Sequence, residues 1–432
     1  MEQNNITKTL APKTNLRGNV AVISSKSELH RLIFCACLAD RACTIAYNST
    51  LSKDIEATIS CFRALGAQIE TNGGEILIKK PLDPEYIKNS LEKDTEIFCN
   101  ESGSTARFIL PLVSLLCKNG AVLTGVGKLP ERPFSDLCGS LSAFGAVFSG
   151  DKMPIKVEKT ATPCDGATFE ISGNVSSQYL SGLLFLLPLC KNAKIRLTTP
   201  LESAGYVDMT IDAMKKFGVD VAKNGEVYTA SGNYRVINDK MHAFGDWSNA
   251  AFFLCGAKDE PFSVSGIDRS SLQPDKKILD VLSSCGIIIE EKADSVSVVR
   301  SKKMRPFSFD AGENPDLVPV LCVLATTLSG DSIISNIRRL RFKESDRVAT
   351  VIDMISSLGG KIREDGDSLH ISGTGTLLGG RVNSHNDHRI AMSAAIASLF
   401  CENKVVIDGA QAVAKSYPDF FEIFAFLTED NR

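Results

Sequence analysis

No GxGxxG, GxxxxGKS or GxSxG stands in this 432-residue chain where a strand would lead into a helix. Nucleotide binding through a common glycine loop is therefore unsupported. The 13 cysteines form no CxxC, and Cys35 and Cys37 lack a second close cysteine or histidine pair to complete four ligands, which excludes a structural zinc site. Thiols that are odd in number and without a framework fit a reducing cytoplasm better than export. The opening MEQNNITKTLAPKTNLRGN has no apolar run of the kind a secretory signal needs. No uninterrupted apolar stretch reaches the roughly 18 residues that would span a membrane. Neither sign of charge dominates: 48 Lys plus Arg against 51 Asp plus Glu leave a formal charge of -3. That balance argues against broad nucleic-acid binding, which needs a basic surface.

What is present is an ordinary globular composition, 44% hydrophobic and 23% charged, in a chain too long for one growing core. A unit recurs along it. Asp54, Asp136, Asp208, Asp275, Asp346 and Asp419 each introduce an apolar segment of helical period, at intervals of 67 to 82 residues. The first five segments stop at Gly66, Gly145, Gly218, Gly286 and Gly359, as expected of helix C-caps. Hairpins are expected around Asn72-Gly73, Asn224-Gly225, Lys292-Ala293-Asp294 and Asp365-Gly366. A second helix per unit is read from ARFILPLVSLLC, SQYLSGLLFLLPLC, SNAAFFLCGA and HRIAMSAAIASLF, each apolar around much of its circumference. The result is an α/β protein of six units, divided three and three near residues 231–240, with residues 1–20 free to supply an edge strand.

Polar groups stand just before several of these helices. RLRFKESDR, ending at Arg347, places four cations and two carboxylates in nine residues, with Asp346 positioned to cap the following helix. Others are Ser25-Lys26-Ser27 with Arg31, Glu101-Ser102-Gly103-Ser104 with Arg107, Arg132 between two prolines, and Ser176-Ser177-Gln178. Ser203 with Tyr206, Asn314-Pro315-Asp316, Asn386-Asp387-His388-Arg389 and Lys415-Ser416-Tyr417-Pro418-Asp419 complete the set. Taken singly, each is a solvated charge cluster, a helix cap or a turn as readily as a ligand contact. Together they place Lys26, Arg31, Arg132, Lys343, Arg347, Arg389 and Lys415 near helix starts, the wrong end of the helix dipole. Uncompensated cations so gathered repel, and a multiply anionic small molecule in a cleft between the two halves would offset the repulsion. Asp316 and Glu344 are then candidates for proton transfer, while His388 is equally a local hydrogen-bonding residue.

These motifs, in this order from about residue 8 to 427, resemble the enolpyruvyl transferase family, in particular its branch that uses shikimate 3-phosphate. The resemblance implies two domains of three βαβαββ units each, an inside-out α/β barrel, here 21–236 and 1–20 with 237–432, with the active site in the interdomain cleft. It implies transfer of the carboxyvinyl group of phosphoenolpyruvate to the 5-hydroxyl of shikimate 3-phosphate, with no cofactor and no metal. Matching positions assign Lys26, Ser27, Arg31, Ser176, Ser177, Gln178, Ser203, Tyr206, Asp316, Arg339 and Lys343 to shikimate 3-phosphate. Lys26, Gly103, Ser104, Arg132, Gln178, Arg347, Arg389 and Lys415 are assigned to phosphoenolpyruvate. Asp316, Glu344, Lys26 and His388 are the proton-transfer candidates, Asp316 for the 5-hydroxyl and Glu344 with Lys26 for the methylene. A cytoplasmic monomer acting on small molecules, with no nucleic-acid or membrane partner, is expected. The sibling branch, which uses UDP-N-acetylglucosamine, has Lys-Asn early and a loop cysteine; here serine follows Lys26, and no cysteine comes between Arg132 and Cys138. Departures from the pattern are Ser25 for glycine, His30 for asparagine, Pro274 for glycine, Arg339 for asparagine, and Glu101 for an amide beside an anion site. Glu101 must turn away or pair with an arginine, or it weakens phosphoenolpyruvate binding.

Overall fold

The six aspartates fall at the starts of helices Lys53–Ala64, Ser135–Ser142, Ala204–Lys216, Ile278–Cys285, Arg347–Ser357 and Phe420–Thr428. Asp208 lies one turn inside its helix, and Asp275 sits in the 3-10 turn Pro274–Lys277 ahead of its own. Asp346 is an N-cap, its Oδ1 accepting from the Val348 and Ala349 amides at 3.1 and 3.2 Å. Gly286 ends its helix at φ +94°, a conformation a side chain disfavours. The structure, a computed structural model, describes residues 5–48, 50–160 and 164–429. Residues 1–4 and 430–432, assigned from the sequence to the second domain, lie outside the described residues.

The chain divides into Ser24–Ala243 and a second unit of Met1–Ile23 with Phe244–Arg432. The change of unit after Ala243 comes seven residues later than the sequence reading placed it, and sheet pairing supplies the reason. Strand Lys240–His242 runs parallel to Cys43–Ala46 and is the edge of a sheet in the Ser24–Ala243 unit. Strand Asn19–Ala21, which precedes the first helix of that unit, instead pairs with Phe262–Ser265 in the other. The two strands thus occupy equivalent edge positions, each in the unit that its neighbouring helix does not belong to.

Among the described residues, the Ser24–Ala243 unit contains three four-stranded sheets, and the other contains two of four strands and one of three. Four-stranded sheets combine a parallel pair with an antiparallel hairpin: Thr95–Phe98 pairs parallel to Ala121–Thr124, which pairs antiparallel to Ile155–Lys159. The hairpins expected at Asn72-Gly73, Asn224-Gly225, Lys292-Ala293-Asp294 and Asp365-Gly366 all form. The three-stranded sheet takes Thr7–Leu10 as its antiparallel edge, against Val405–Asp408. The short hairpin of Val147–Phe148 with Ile155–Lys159, interrupted by a bulge, and the helix Pro84–Ser90 capped by Asp83 had no clear periodic signal. Sheets turn one face inward, as in the alternating burial of Ile76 and Ile78. Helices Trp247–Cys255, Val318–Thr326 and His388–Ser398 are buried along every residue, so each is surrounded rather than merely backed. Among the described residues, no helix is long and apolar enough to cross a membrane.

One cysteine pair departs from the expectation of unlinked thiols. Cys164 and Cys190 are joined, with Cα atoms 5.5 Å apart. They precede the parallel strands Thr168–Ile171 and Lys194–Leu197, whose register sets Thr168 against Lys194, so the same 26-residue offset brings the thiols together. The other cysteines are free and buried.

Close packing rests on particular glycines. A Cβ on Gly182, in helix Ser177–Leu186, would meet the Arg107 carbonyl oxygen of helix Gly103–Leu116 at 2.3 Å, whereas one on Gly139 would meet nothing within 4 Å. Gly182→Ala is expected to destabilise the protein by about 1–3 kcal/mol through overpacking. Gly139→Ala, in a helix interior, is expected to stabilise it by about 0.5–1 kcal/mol. Urea midpoints of the two variants check the opposite signs.

Candidate active site

The candidate residues form two clusters, one in each unit. In the Phe244–Arg432 part, Asp316 lies in the 3-10 turn Pro315–Leu317, while Arg347 opens helix Arg347–Ser357 and His388 and Arg389 open helix His388–Ser398. Arg347 has no exposed surface, and its guanidinium contacts three carboxylates: Nη1 to Asp316 Oδ1 at 2.6 Å, Nη2 to Glu344 Oε2 at 2.5 Å, and Nε to Asp387 Oδ2 at 2.8 Å. Arg389 Nη2 reaches the other Asp316 oxygen at 2.8 Å, and Lys343 Nζ stands 3.7 Å from Asp316 Oδ1. Asp387 caps its helix through the Arg389 amide and also accepts from Ser345 Oγ at 3.0 Å.

This arrangement corrects the expectation that the gathered cations stand uncompensated. Lys343, Arg347 and Arg389 are matched by Asp316, Glu344 and Asp387 within the same unit. The cations do stand near helix starts, and three of them also adjoin a preceding turn. Lys343 and Arg132 follow the 3-10 turns Arg338–Phe342 and Leu129–Glu131, and Lys415 ends the turn Ala410–Lys415. Lys415 Nζ donates to the Asn386 carbonyl at 2.6 Å, and Arg339 Nη1 to the Gly312 carbonyl at 3.3 Å. His388 is buried beside Asp387, with Nδ1 3.9 Å from Oδ1. Just ahead of this group, His385 and Asn386 hold left-handed φ values of +50° and +56°, strain of the kind that persists where surrounding structure enforces it.

Electrostatics follow from the crowding. Burial alone would raise the Asp316 pKa, but Arg389, Lys343 and Arg347 outweigh it and hold the carboxyl well below the usual range. Burial pushes Lys343 down to about 8, against the opposing pull of Asp316. Arg347 is raised: burial works against its charge, but Asp387, Glu344 and Asp316 more than restore it.

In the Ser24–Ala243 unit, Ser25 caps helix Lys26–Leu38, and Lys26 Nζ pairs with Asp54 Oδ2 at 2.9 Å. Arg31 is buried and braces two helices. Its Nη1 donates to the Ser27 carbonyl, its Nη2 to the Tyr206 carbonyl, both at 2.7 Å, and its Nε to Thr210 Oγ1 at 2.8 Å. Three of its roughly five N–H groups are thereby committed to protein, and burial pushes its pKa down to about 10. Ser203, at φ +57°, is a strained N-cap position before Tyr206.

Gly103 opens helix Gly103–Leu116, and a Cβ there would lie 2.5 Å from Arg132 Nη1 and 2.7 Å from Arg107 Nη1. Two guanidinium groups thus press against a bare helix mouth, where backbone amides and cations together suit an anion. Gln178 completes the cluster: Nε2 donates to Ser104 Oγ at 2.9 Å, and Oε1 accepts from Arg107 Nη1 at 3.0 Å. Ser176 caps the Gln178 amide, and Ser177 is buried beside it. Arg107, stacked over Phe134 and Tyr179 at 5.1 and 5.6 Å, was noted in the sequence only as part of a motif. Its place in the Ser-Gly-Ser helix opening was the signal that could have found it. The Glu101 carboxylate lies against Gly127, where a Cβ would sit 2.3 Å from Oε2.

The fold is shared with that of solved enolpyruvyl transferases. The structure aligns over 98% of its length with 98% of EPSP synthase from Acinetobacter baumannii, with a TM-score of 0.80 and 23% sequence identity. It aligns over 98% of its length with 97% of the enolpyruvyl transferase NikO from Streptomyces tendae, with a TM-score of 0.75 and 18% identity. Sequence is more specific. The family description for EPSP synthase (3-phosphoshikimate 1-carboxyvinyltransferase) matches residues 10–424. A 3-phosphoshikimate 1-carboxyvinyltransferase of Clostridium novyi is 40% identical over 422 residues, covering 95% of both chains. One of Clostridium perfringens is 38% identical over 433 residues, covering 98% of both. The chain belongs to the EPSP synthase family.

Removing the buried hub separates it from its surface neighbour. Arg347→Ala leaves three acids without their shared cation and is expected to cost about 3–5 kcal/mol. Arg341→Ala removes only partly exposed pairs with Asp346 and Glu364 and is expected to cost under about 1 kcal/mol. Equilibrium urea unfolding of both variants measures the contrast.

Proposed function

We infer that the protein transfers the carboxyvinyl group of phosphoenolpyruvate to the 5-hydroxyl of shikimate 3-phosphate, forming 5-enolpyruvylshikimate 3-phosphate and phosphate, and that both clusters act on this one pair of substrates. The reading of the site is supported above all by the Asp316–Arg347–Glu344 cluster, which unites two carboxylates suited to proton transfer with cations suited to anionic substrates.

In the reaction, protonation of the phosphoenolpyruvate methylene makes C2 electrophilic. The 5-hydroxyl oxygen bonds to C2 as its proton leaves, giving a tetrahedral ketal phosphate. Loss of a proton from the new methyl group re-forms the double bond while the C2–O bond to phosphate breaks. Asp316 receives the hydroxyl proton in this scheme, and Glu344 with Lys26 serves the methylene. Ser27, Arg31, Ser176, Ser177, Gln178, Ser203, Tyr206, Arg339 and Lys343 receive the acceptor together with Asp316 and Lys26. Gly103, Ser104, Arg132, Gln178, Arg347, Arg389 and Lys415 receive phosphoenolpyruvate together with Lys26, and His388 is a further proton carrier.

Asp316 in its present company is a poor base, because a general base works best with a pKa near the operating pH. Substrate carboxylate and phosphate groups drawing on Arg347, Arg389 and Lys343 would loosen that hold. Substrate binding thereby arms the carboxylate it needs. The protein is further proposed to act as a monomer in the cytoplasm.

Phosphate release measured with shikimate 3-phosphate and with UDP-N-acetylglucosamine tests the assignment: release is expected only with the first. Asp316→Ala and Glu344→Gln are each expected to lower turnover by about 10²-fold or more, the scale of lost acid-base catalysis, while shikimate 3-phosphate still binds. Normal turnover in both variants would remove these residues from the mechanism. A pH effect is also expected. Lys343 is cationic below about 8 and loses its charge above it. Acceptor affinity should therefore fall as pH rises through that value, by up to about tenfold per pH unit for one linked proton. Calorimetric titrations should show the decline in the parent protein and its disappearance in Lys343→Arg, whose side chain stays charged.

A further inference from the structure

His30 has no part in the chemistry just described, yet it sits one helical turn from Lys26 and is 1% exposed. Burial, then the nearby charges of Lys26 and Arg31, lower its pKa and keep the imidazole neutral. Its Nδ1 lies 2.8 Å from Thr58 Oγ1, which lies 2.6 Å from Thr105 Oγ1. Thr105 Oγ1 in turn donates to Ser102 Oγ at 2.7 Å. Thr58, Thr105 and Ser102 are fully buried, and Ser102 caps the Gly103–Leu116 helix through the Thr105 amide.

Counting hydrogens gives this chain a direction. Each hydroxyl has one hydrogen to donate. Thr105 gives its hydrogen to Ser102 and so accepts from Thr58; Thr58, having given its own, accepts from His30. The approaches of Thr58 and Thr105 to the Asp54 carbonyl, at 3.3 and 3.4 Å, are longer and secondary. The imidazole therefore has its proton on Nδ1, and the buried Nε2, which has no hydrogen-bond partner among the described residues, is the bare nitrogen. The opposite tautomer would bury an N–H without an acceptor and break the chain at its first link.

Three helices meet along this line. His30 is on Lys26–Leu38, Thr58 on Lys53–Ala64, whose Asp54 pairs with Lys26, and Thr105 on the helix that opens at Gly103. We propose that His30 is a positioning residue for phosphoenolpyruvate: the donor chain from His30 through Thr58 and Thr105 to Ser102 fixes the spacing between the Lys26 ammonium and the Gly103–Ser104 helix mouth. The proposal rests on the reading that these groups, with Arg132, hold that substrate.

The test uses the full-length protein with His30→Leu, Thr58→Val, their combination, and His30→Asn, whose side-chain amide can still donate to Thr58. Phosphoenolpyruvate KM, kcat, shikimate 3-phosphate Kd and Tm are measured for each. His30→Leu and Thr58→Val are each expected to raise phosphoenolpyruvate KM about tenfold, with kcat and acceptor Kd within about twofold. The double variant should be no worse than the poorer single one, because both cut the same chain. His30→Asn should return KM to within about threefold of the parent. A purely structural role would lower Tm and leave the KM of the folded fraction unmoved, and that result would overturn the proposal. So would additive losses, or equal losses for both substrates. Should His30→Leu fail to fold, Thr58→Val carries the test, since unchanged KM in that variant sinks the idea. Arg132→Ala separates the two levels: if it leaves phosphoenolpyruvate binding intact, the underlying site reading fails. If it weakens binding while Thr58→Val does not, only the positioning role is lost.

Discussion

A guanidinium without exposed surface, touched on three sides by carboxylates from different segments, is the constraint on which the cluster in the Phe244–Arg432 part depends. Burying Arg347 is costly unless its charge is matched and its N–H groups are satisfied. Asp316, Glu344 and Asp387 meet both requirements, and in doing so they become fixed relative to one another. Asp387 is the anchor because it is itself fully buried and tied to the start of its own helix. Two turns that are distant in sequence, around Asp316 and Glu344, are therefore held against one side chain.

The cluster in the Ser24–Ala243 unit is built by different means. Around Gly103 the polar partners are mostly hydroxyls and an amide, with Arg107 clamped between Gln178 and two aromatic rings. Neutral groups orient an anion without adding to a charge already present, and they lose less on desolvation than ions do. Arg31 shows the same economy: its charge is buried, but carbonyls and a hydroxyl satisfy its nitrogens. The left-handed Ser203 beside it shows that local backbone comfort gives way where helix ends converge.

Much of this was legible in the sequence because it is local. The aspartate that starts a helix, the glycine that ends it and the Asn-Gly that turns a hairpin act within a few residues of themselves, so the six-unit fold and the polar groups at its helix mouths could be read directly. What escaped was set by pairing across long separations. Arg347 and Asp387 are neighbours only because two helices open side by side, and no spacing rule foretells it. The compensation of the cations was missed for that reason, although every acid involved had been noticed. The cysteine link follows from the register of two parallel strands, and the position of the unit boundary from the partner chosen by a three-residue strand. Arg107 was visible but undistinguished, since its value comes from standing between Gln178 and Gly103. The family resemblance supplied roles for residues, whereas the structure supplied the company each one keeps.

The exchange of the two edge strands bears on how the molecule is made. A nascent chain emerges from its N-terminus, so Asn19–Ala21 is synthesised long before Phe262–Ser265, its partner 244 residues downstream in register. Until then a β-prone segment waits unpaired, while the Ser24–Ala243 unit lacks its own last strand until Lys240–His242 appears. Closure of such long loops precedes any reward from the contacts they make, and non-local pairing of this kind slows folding. The Ser24–Ala243 unit is one uninterrupted run of chain, whereas the other draws on segments made at the beginning and the end of translation, and the ribosome must have passed the middle of the message before either sheet has its full set of edges.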